Sequence, residues 1–256
     1  MNRHLQRLSL ALAAACVSFA VHGQAANPLL DRAAVENIVK EYLLKNPALI
    51  RDAMAVLQAQ EEAEREQLVA GALKSFRAEL DAETDAPVGG NPKGDVTVVE
   101  FYDYNCGYCK KVAPVLTELL KRDAGVRVIY KEYPILSPQS MFAAKAALAA
   151  QRQGKFVAMH EALMLAPSSD EATVKALSQQ IGLDHERLRK DMQDPLLERA
   201  IQRNHGQAGA MNINGTPAFV IGERLIPGAA SLEQLLDLVK TERDRQLSAA
   251  LLPKKD

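Results

Sequence analysis

Apolar residues recur along this chain with three different spacings, and each spacing predicts a different kind of element. Leu8 to Val21 is apolar except for Ser9 and Ser18, behind Arg3 and Arg7 and ahead of the small residues that end at Ala25. This layout predicts a secretory signal peptide over residues 1–25, cut near Ala25 or slightly before it. The run is too short to span a bilayer comfortably. Helical spacing comes next. Val35, Ile38, Val39, Tyr42 and Leu43 form one stripe within Asn27–Asn46, with Asp31 as the expected N-cap. From Pro47 to Asp81 there is a single glycine, Gly71, and no further proline, so a helix of roughly 50 Å is predicted. Its apolar positions fall in two blocks that are out of phase, Ile50, Met54 and Leu57, then Val69, Leu73, Phe76 and Leu80. An almost wholly polar run, residues 61–67, separates them. A helix cannot bury such narrow seams against itself. The expectation is a helical arm over residues 26–85 that oligomerises the protein, the first helix and the first seam packing between subunits. The competing reading is an arm folded back on its own globular domain.

Period-two and continuous apolar patterns dominate the remainder of the chain. Residues 85–95 carry Pro87, Gly89, Gly90, Pro92 and Gly94 and read as a turn-rich boundary into a domain over 86–250. Val96–Tyr102 is β-branched and apolar, a buried strand interrupted only by Glu100 among charged residues. Lys110–Arg122 has Val112, Val115, Leu116, Leu119 and Leu120 at helical spacing, and Val126–Tyr133 is a second strand. Together they predict a parallel β-α-β unit with a right-handed crossover. Helices are predicted over 137–153, 154–165, 171–181, 184–192 and 195–211, a helical insertion of about 137–211. Thr216–Ile221 and Arg224–Ile226 read as a hairpin about Gly222-Glu223. Ser231–Arg245 closes the domain as a helix, with Ser231 as N-cap and Gln234 in its first turn. Residues 251–256 are expected to fray. The class is α/β.

Composition narrows the function. The chain has 256 residues, enough for one or two domains, and a net charge of −1, which gives no reason to expect nucleic acid or an anionic membrane as partner. No later segment is long and apolar enough to span a membrane. Cysteine is the informative residue, with three copies: Cys16, Cys106 and Cys109. Cys16 lies in the leading apolar run and would be removed with it. A lipoprotein reading would acylate Cys16 after Ala13-Ala14-Ala15, but leucine falls one place early and Val17–Val21 prolongs the run. The mature chain is then left with Cys106 and Cys109, too few for a disulfide-stapled scaffold.

Cys106-Gly107-Tyr108-Cys109 sits at a strand-to-helix junction. Unpaired N–H groups and the positive end of the helix dipole favour a thiolate on the first cysteine. The second lies one turn on and can attack a mixed disulfide formed on the first. A structural zinc site needs four ligands, and a structural disulfide this short stabilises little, so redox chemistry is expected. No metal is required, although a reduced pair is a soft site suited to Cu(I). Gly107 and Tyr108 are expected to tune the thiolate and the substrate contact; the bland alternatives are that Gly107 permits close approach and Tyr108 is a surface aromatic. Glu100 is costly in a buried strand unless paired or used; Lys131 is its candidate partner, and the bland alternative is an exposed glutamate at the strand end. His160 reads as a satisfied structural histidine.

These motifs resemble the thioredoxin superfamily, and within it the DsbA-like exported thiol–disulfide oxidoreductases. The likeness covers roughly Val88–Arg245 and rests on strand–C-G-Y-C–helix, the helical insertion, and Gly215-Thr216-Pro217 opening the hairpin. It implies a thioredoxin fold with an inserted helical domain, preceded here by the long helical N-terminal arm. It implies a cis Pro217 against a redox-active Cys106–Cys109 disulfide, with Cys106 as nucleophile and Cys109 as resolving thiol. The Thr216 backbone would be free to pair with an extended substrate and a metal would be denied access. Glu100 would accept the proton of Cys109. The arm combined with C-G-Y-C looks most similar to the suppressor-of-copper-sensitivity C proteins, some of which assemble through such an arm and act as disulfide isomerases. The resemblance implies a periplasmic homo-oligomer, a trimer by preference, working without a cofactor on unfolded or misoxidised exported proteins and served by a membrane thiol reductase or oxidase. A monomeric dithiol oxidase and a Cu(I)-binding copper-tolerance module are the alternatives.

Overall fold

The computed structural model describes residues 31–82 and 85–251, so the expected signal peptide, Cys16 and the tail beyond Leu251 lie outside the described residues. The chain divides into two compact units, Met1–Gln58 and Ala59–Asp256.

The first unit contains α1 (Arg32–Lys45) and the start of α2 (Ala48–Ala82). Asp31 occupies the N-cap position but makes no side-chain cap hydrogen bond. Asn46 ends α1, its Nδ2 donating to Tyr42 O at 2.9 Å beside its own main-chain N–H, which reaches the same carbonyl at 3.0 Å. No residue of α1 is buried. Ile38, Tyr42, Ile50, Met54 and Leu57 are each at least half exposed. Leu43, Leu49, Ile50, Ala53, Met54 and Leu57 line an apolar groove.

The second unit is built on a five-stranded sheet of order β1-β3-β2-β4-β5. Its strands are β1 (Val88–Gly90), β2 (Val96–Tyr102), β3 (Val126–Glu132), β4 (Ala218–Ile221) and β5 (Arg224–Pro227). β2 and β3 are parallel and every other pair is antiparallel. Between β2 and β3 runs α3 (Gly107–Arg122), and after β3 come α4 (Pro138–Gln151), α5 (Phe156–Leu165), α6 (Glu171–Gln180), α7 (His185–Asp191) and α8 (Pro195–Ala210). The closing helix is α9 (Leu232–Leu251). Ser231 and Gln234 form the expected reciprocal cap, Ser231 N donating to Gln234 Oε1 at 2.9 Å and Gln234 N to Ser231 Oγ at 3.3 Å.

The continuous apolar character of β2 and β3 reflects cover on both faces of the sheet. One face carries Val96, Val98, Tyr102, Val128, Tyr130, Phe219 and Ile221, packed with α3, α5 and α9. The other carries Val99, Phe101, Ile129 and Val220, packed with Met211 and Ile213 and with Leu73 of α2. Val69, Ala72 and Phe76 pack against this second cluster. Val69, Leu73 and Phe76 of the second apolar block are therefore folded onto the chain's own sheet, as the competing reading held. Arg77 extends the contact, its Nη2 lying 2.9 Å from Glu242 Oε1 on α9. Glu242 also receives Arg245 and Gln246, and these bonds outweigh its burial and hold its carboxyl down to about 2. Gly222, in the β4–β5 turn, has a φ of +59°, and a Cβ there would collide with the Glu242 carboxylate.

Two details differ from expectation. The turn-rich boundary contains β1, paired antiparallel with β3; three residues, Val-Gly-Gly, carry too little pattern to show it. The helix after the cysteine motif begins at Gly107, with Pro114 inside it.

Candidate active site

The strand-to-helix junction places Cys106 as the N-cap of α3, in extended backbone conformation. The Cys109 N–H donates to Cys106 Sγ at 3.4 Å, and the Cys106 thiol donates to Thr216 O at 3.2 Å. The Thr216–Pro217 peptide is cis. Two segments 110 residues apart thus meet at one sulfur. Both thiols are free. Cys106 is 6% exposed and Cys109 is wholly enclosed. Burial pushes the Cys106 thiol up, but hydrogen bonding of its sulfur with the Thr216 side chain, and with Cys109 and Tyr108, outweighs it, so the group sits below its ordinary value. Burial pushes Cys109 far up, with the nearby charges of Glu100 and Cys106 acting in the same direction. The two sulfurs of one motif are therefore split into an acidic and a non-acidic thiol, the split a nucleophile and a resolving thiol require.

Gly107 meets no steric demand, since a Cβ there would touch nothing within 4 Å. Tyr108 is 64% exposed, with Lys111 Nζ 5.3 Å from its ring centre.

Glu100 is fully buried, and neither carboxyl oxygen has a hydrogen-bond partner among the described residues. Lys131 is not its partner. In the β2–β3 register Glu100 faces Tyr130 and Lys131 faces Phe101. Alternate residues of a strand point to opposite faces, so Glu100 lies on the α3 side and Lys131 on the other. Burial lowers the Lys131 ammonium to about 7, with Arg203 acting in the same direction and Glu79 against it. Burial raises the Glu100 carboxyl to about 8, and the charge of ionised Cys106 adds to this. An unfolded glutamate ionises near pH ~4.3. From there to about pH 8 the unfolded chain gives up a proton that the folded chain keeps, so the reduced protein loses stability as pH rises across that window, on the order of 5 kcal/mol. Glu100→Gln removes this loss. Between pH 5 and 8 the reduced variant should lose less stability in urea unfolding than the parent does; parallel profiles would place the titration elsewhere.

Sequence reasoning missed several residues around the motif. Glu132 is buried beside Glu100's strand, its Oε1 accepting from Tyr102 OH at 2.6 Å and Tyr104 OH at 3.0 Å. Tyr104 OH lies 3.1 Å from His160 Nδ1. Burial lowers His160 to about 3, which keeps it neutral among the rings of Tyr102, Tyr104, Tyr130 and Phe156. Lys110, directly after Cys109, donates to Leu163 O at 3.0 Å and Ala166 O at 2.6 Å and so caps the end of α5. Asp103 and Asn105 anchor the loop ahead of Cys106 to the segments that flank α4 and α6. Their only signal in the sequence is polarity in a short loop, which most loops share.

Among the described residues no group of three or more His, Cys, Asp or Glu side chains could hold a metal ion, and no helix is long and apolar enough to cross a membrane. Residues 97–240 match the family described as DSBA-like thioredoxin domain. Residues 31–64 match the copper resistance protein ScsC N-terminal domain. A thioredoxin-like oxidoreductase from Silicibacter pomeroyi DSS-3 is 44% identical, with a TM-score of 0.64 over 66% of this chain and 98% of its own. Proteus mirabilis ScsC in a transitional conformation is 28% identical, with a TM-score of 0.64 over 83% of this chain and 97% of its own. The Na(+)/H(+) antiporter NhaA 3 of Salinispora tropica is 32% identical over 152 residues, 58% of this chain. The chain spans 23% of that antiporter's length.

Proposed function

The chain belongs to the DSBA-like thioredoxin family, and from that premise we propose that it is an exported thiol–disulfide oxidoreductase working chiefly as a disulfide isomerase. The observation that carries the reading is the meeting of Cys106 Sγ, at the start of α3, with Thr216 O at 3.2 Å beside the cis Thr216–Pro217 bond. The Cys106 thiolate attacks one sulfur of a substrate disulfide. A Cys106–substrate disulfide forms, and the other substrate sulfur leaves as a thiolate. Glu100, when ionised, takes the proton of Cys109. The Cys109 sulfur then attacks Cys106 Sγ, the Cys106–Cys109 disulfide forms, and the substrate departs with both its sulfurs reduced. In isomerisation the freed substrate thiolate attacks elsewhere and returns Cys106 as thiolate, with no net electron transfer.

The arm supports the isomerase side of this reading. The first unit leaves its apolar stripe exposed, and the region matched to the ScsC N-terminal domain covers it. We place an oligomer contact there, a trimer by preference, so that several sites face one substrate. Unfolded or misoxidised exported proteins are the substrates. A membrane thiol reductase keeps the pair reduced, and the periplasm is the compartment. The decisive experiment is refolding of a scrambled-disulfide protein by the reduced chain. Recovery of native pairing well above that given by free dithiol is expected; reduction without recovery would leave an oxidase or reductase.

The copper-resistance match favours one second reading, Cu(I) held by Cys106 and Cys109. Both sulfurs are soft donors, but the burial that holds the proton on Cys109 opposes the dithiolate. Anaerobic Cu(I) titration beside a turnover assay separates the two: tight binding without turnover would favour the copper reading.

A further inference from the structure

The segment that brings Thr216 to Cys106 carries a chemical weak point. Asn214-Gly215 is the single Asn-Gly pair in the chain. An asparagine side chain can reach the main-chain nitrogen that follows it, and a glycine there puts no Cβ in the way. Burial, or a hydrogen bond that ties up the nitrogen, protects such a pair. Here both residues are exposed, and among the described residues the Gly215 N–H donates to no acceptor. A Cβ at Gly215 would touch nothing within 4 Å, so no neighbour covers it. The Asn214 Nδ2 donates to Asn212 Oδ1 at 3.1 Å, at the surface.

The residues on either side are fixed. Ile213 is 4% exposed. Its N–H donates to Ala208 O at 2.8 Å, and its carbonyl accepts from Tyr133 OH at 3.1 Å. Beyond the pair, Pro217 O accepts from Gly228 N at 2.8 Å, and Ala218 opens β4. Asn214, Gly215 and Thr216 therefore span two pinned points, and the contact they deliver is that of Thr216 O with the Cys106 thiol. Resting on the oxidoreductase reading for its consequence, we propose that Asn214-Gly215 is a site of spontaneous deamidation, whose isoaspartyl product withdraws Thr216 from Cys106, so that exchange activity declines as the folded molecule ages.

The chemistry needs only water. The Gly215 nitrogen attacks Asn214 Cγ as it loses its proton. The N–Cγ bond forms, the Cγ–Nδ2 bond breaks, and ammonia leaves with the proton, giving a succinimide. Water then opens one of the two ring C–N bonds. Opening at Cγ gives aspartate with the main chain unchanged. Opening at the main-chain carbonyl carbon gives isoaspartate, in which the chain runs through Cβ and Cγ and is one atom longer. The balance is one water in and one ammonia out. Either product gains a negative charge in water, where a charge has little leverage. Isoaspartate alone adds length, and with Ile213 and Pro217 held the added length falls on Thr216.

The full chain is aged under a reductant in mildly alkaline buffer. Isoaspartate is counted by enzymatic methyl transfer from S-adenosylmethionine and located by mass spectrometry, and kcat/KM on a disulfide-bonded peptide is followed alongside. The parent should accumulate isoaspartate at position 214, faster as pH rises because the attack needs the Gly215 nitrogen without its proton. Each isoaspartyl molecule should lose at least about tenfold in kcat/KM, the scale of a small misplacement at a reacting centre. Asn214→Ser, which has no side-chain amide, should begin with the parent's activity and keep it. Asn214→Asp, which copies the other product, should stay near the parent. Repeated methylation, which returns isoaspartate to aspartate through the succinimide, should restore most of what was lost. An aged parent without isoaspartate at position 214 would overturn the site. Isoaspartate formed with exchange unchanged, or Asn214→Ser decaying at the parent's rate, would overturn the consequence. A fresh parent that turns over no disulfide overturns the oxidoreductase reading itself, and the isoaspartate count is read independently of it.

Discussion

Cys106→Ser brings disulfide exchange down to background, a loss of roughly a thousandfold or more. A serine hydroxyl stays protonated at neutral pH and cannot form the S–S bond of the mixed intermediate, so every downstream step stops. Cys109→Ser fails differently. Its Cys106 remains an acidic thiol at the helix N-terminus, captures a substrate, and has no neighbour to release it. Non-reducing electrophoresis should show disulfide-linked adducts with the Cys109 variant and none with the Cys106 variant. Residual turnover in Cys106→Ser would sink the mechanism. The pH dependence has a definite sign. The depressed Cys106 thiol contributes stability to the reduced fold that is fully present above the ordinary thiol range and is lost as pH falls through the folded value. The exchange rate should fall over the same acid limb, where the thiolate is protonated.

Removing residues 1–58 and removing residues 1–82 should give different proteins. The first cut takes away the unit whose apolar stripe is exposed. A monomer is expected by sedimentation, with exchange on small disulfides retained and scrambled-substrate refolding largely lost. The second cut also strips Leu73, which is 2% exposed, from the second sheet face and takes Arg77 from Glu242. Leu73→Ala alone should cost about 2–5 kcal/mol, the usual range for a buried leucine, and the longer deletion more than that. Urea midpoints read the difference. An oligomer that survives the shorter cut would remove the arm from assembly, and equal midpoints for both cuts would mean that α2 gives the sheet no support.

The parts that local pattern controls were legible before the structure. The strand before Cys106 and the helix after Cys109 are dictated by residues within a few turns of each other. The Ser231 cap is likewise local. Whatever depended on register was not legible. Glu100 and Lys131 are both charged residues in adjacent buried strands, and nothing along the chain says which face each takes; an offset of one residue sends them to opposite sides. The place of Pro217 against Cys106 came from the family resemblance, because 110 residues separate Cys106 from Thr216. The second seam of α2 was visible as a period, but a period names no partner. Asp103 and Asn105 stayed hidden because a buried polar anchor and an exposed loop residue are spelled alike.

The unequal enclosure of the two sulfurs has a practical corollary. An alkylating reagent offered to the reduced, folded chain finds a nucleophile at Cys106 and none at Cys109, which is both shut away and protonated. Mass spectrometry of the motif peptide would then register a single adduct from intact molecules and a double adduct from opened ones, giving a head count of each population in a mixture.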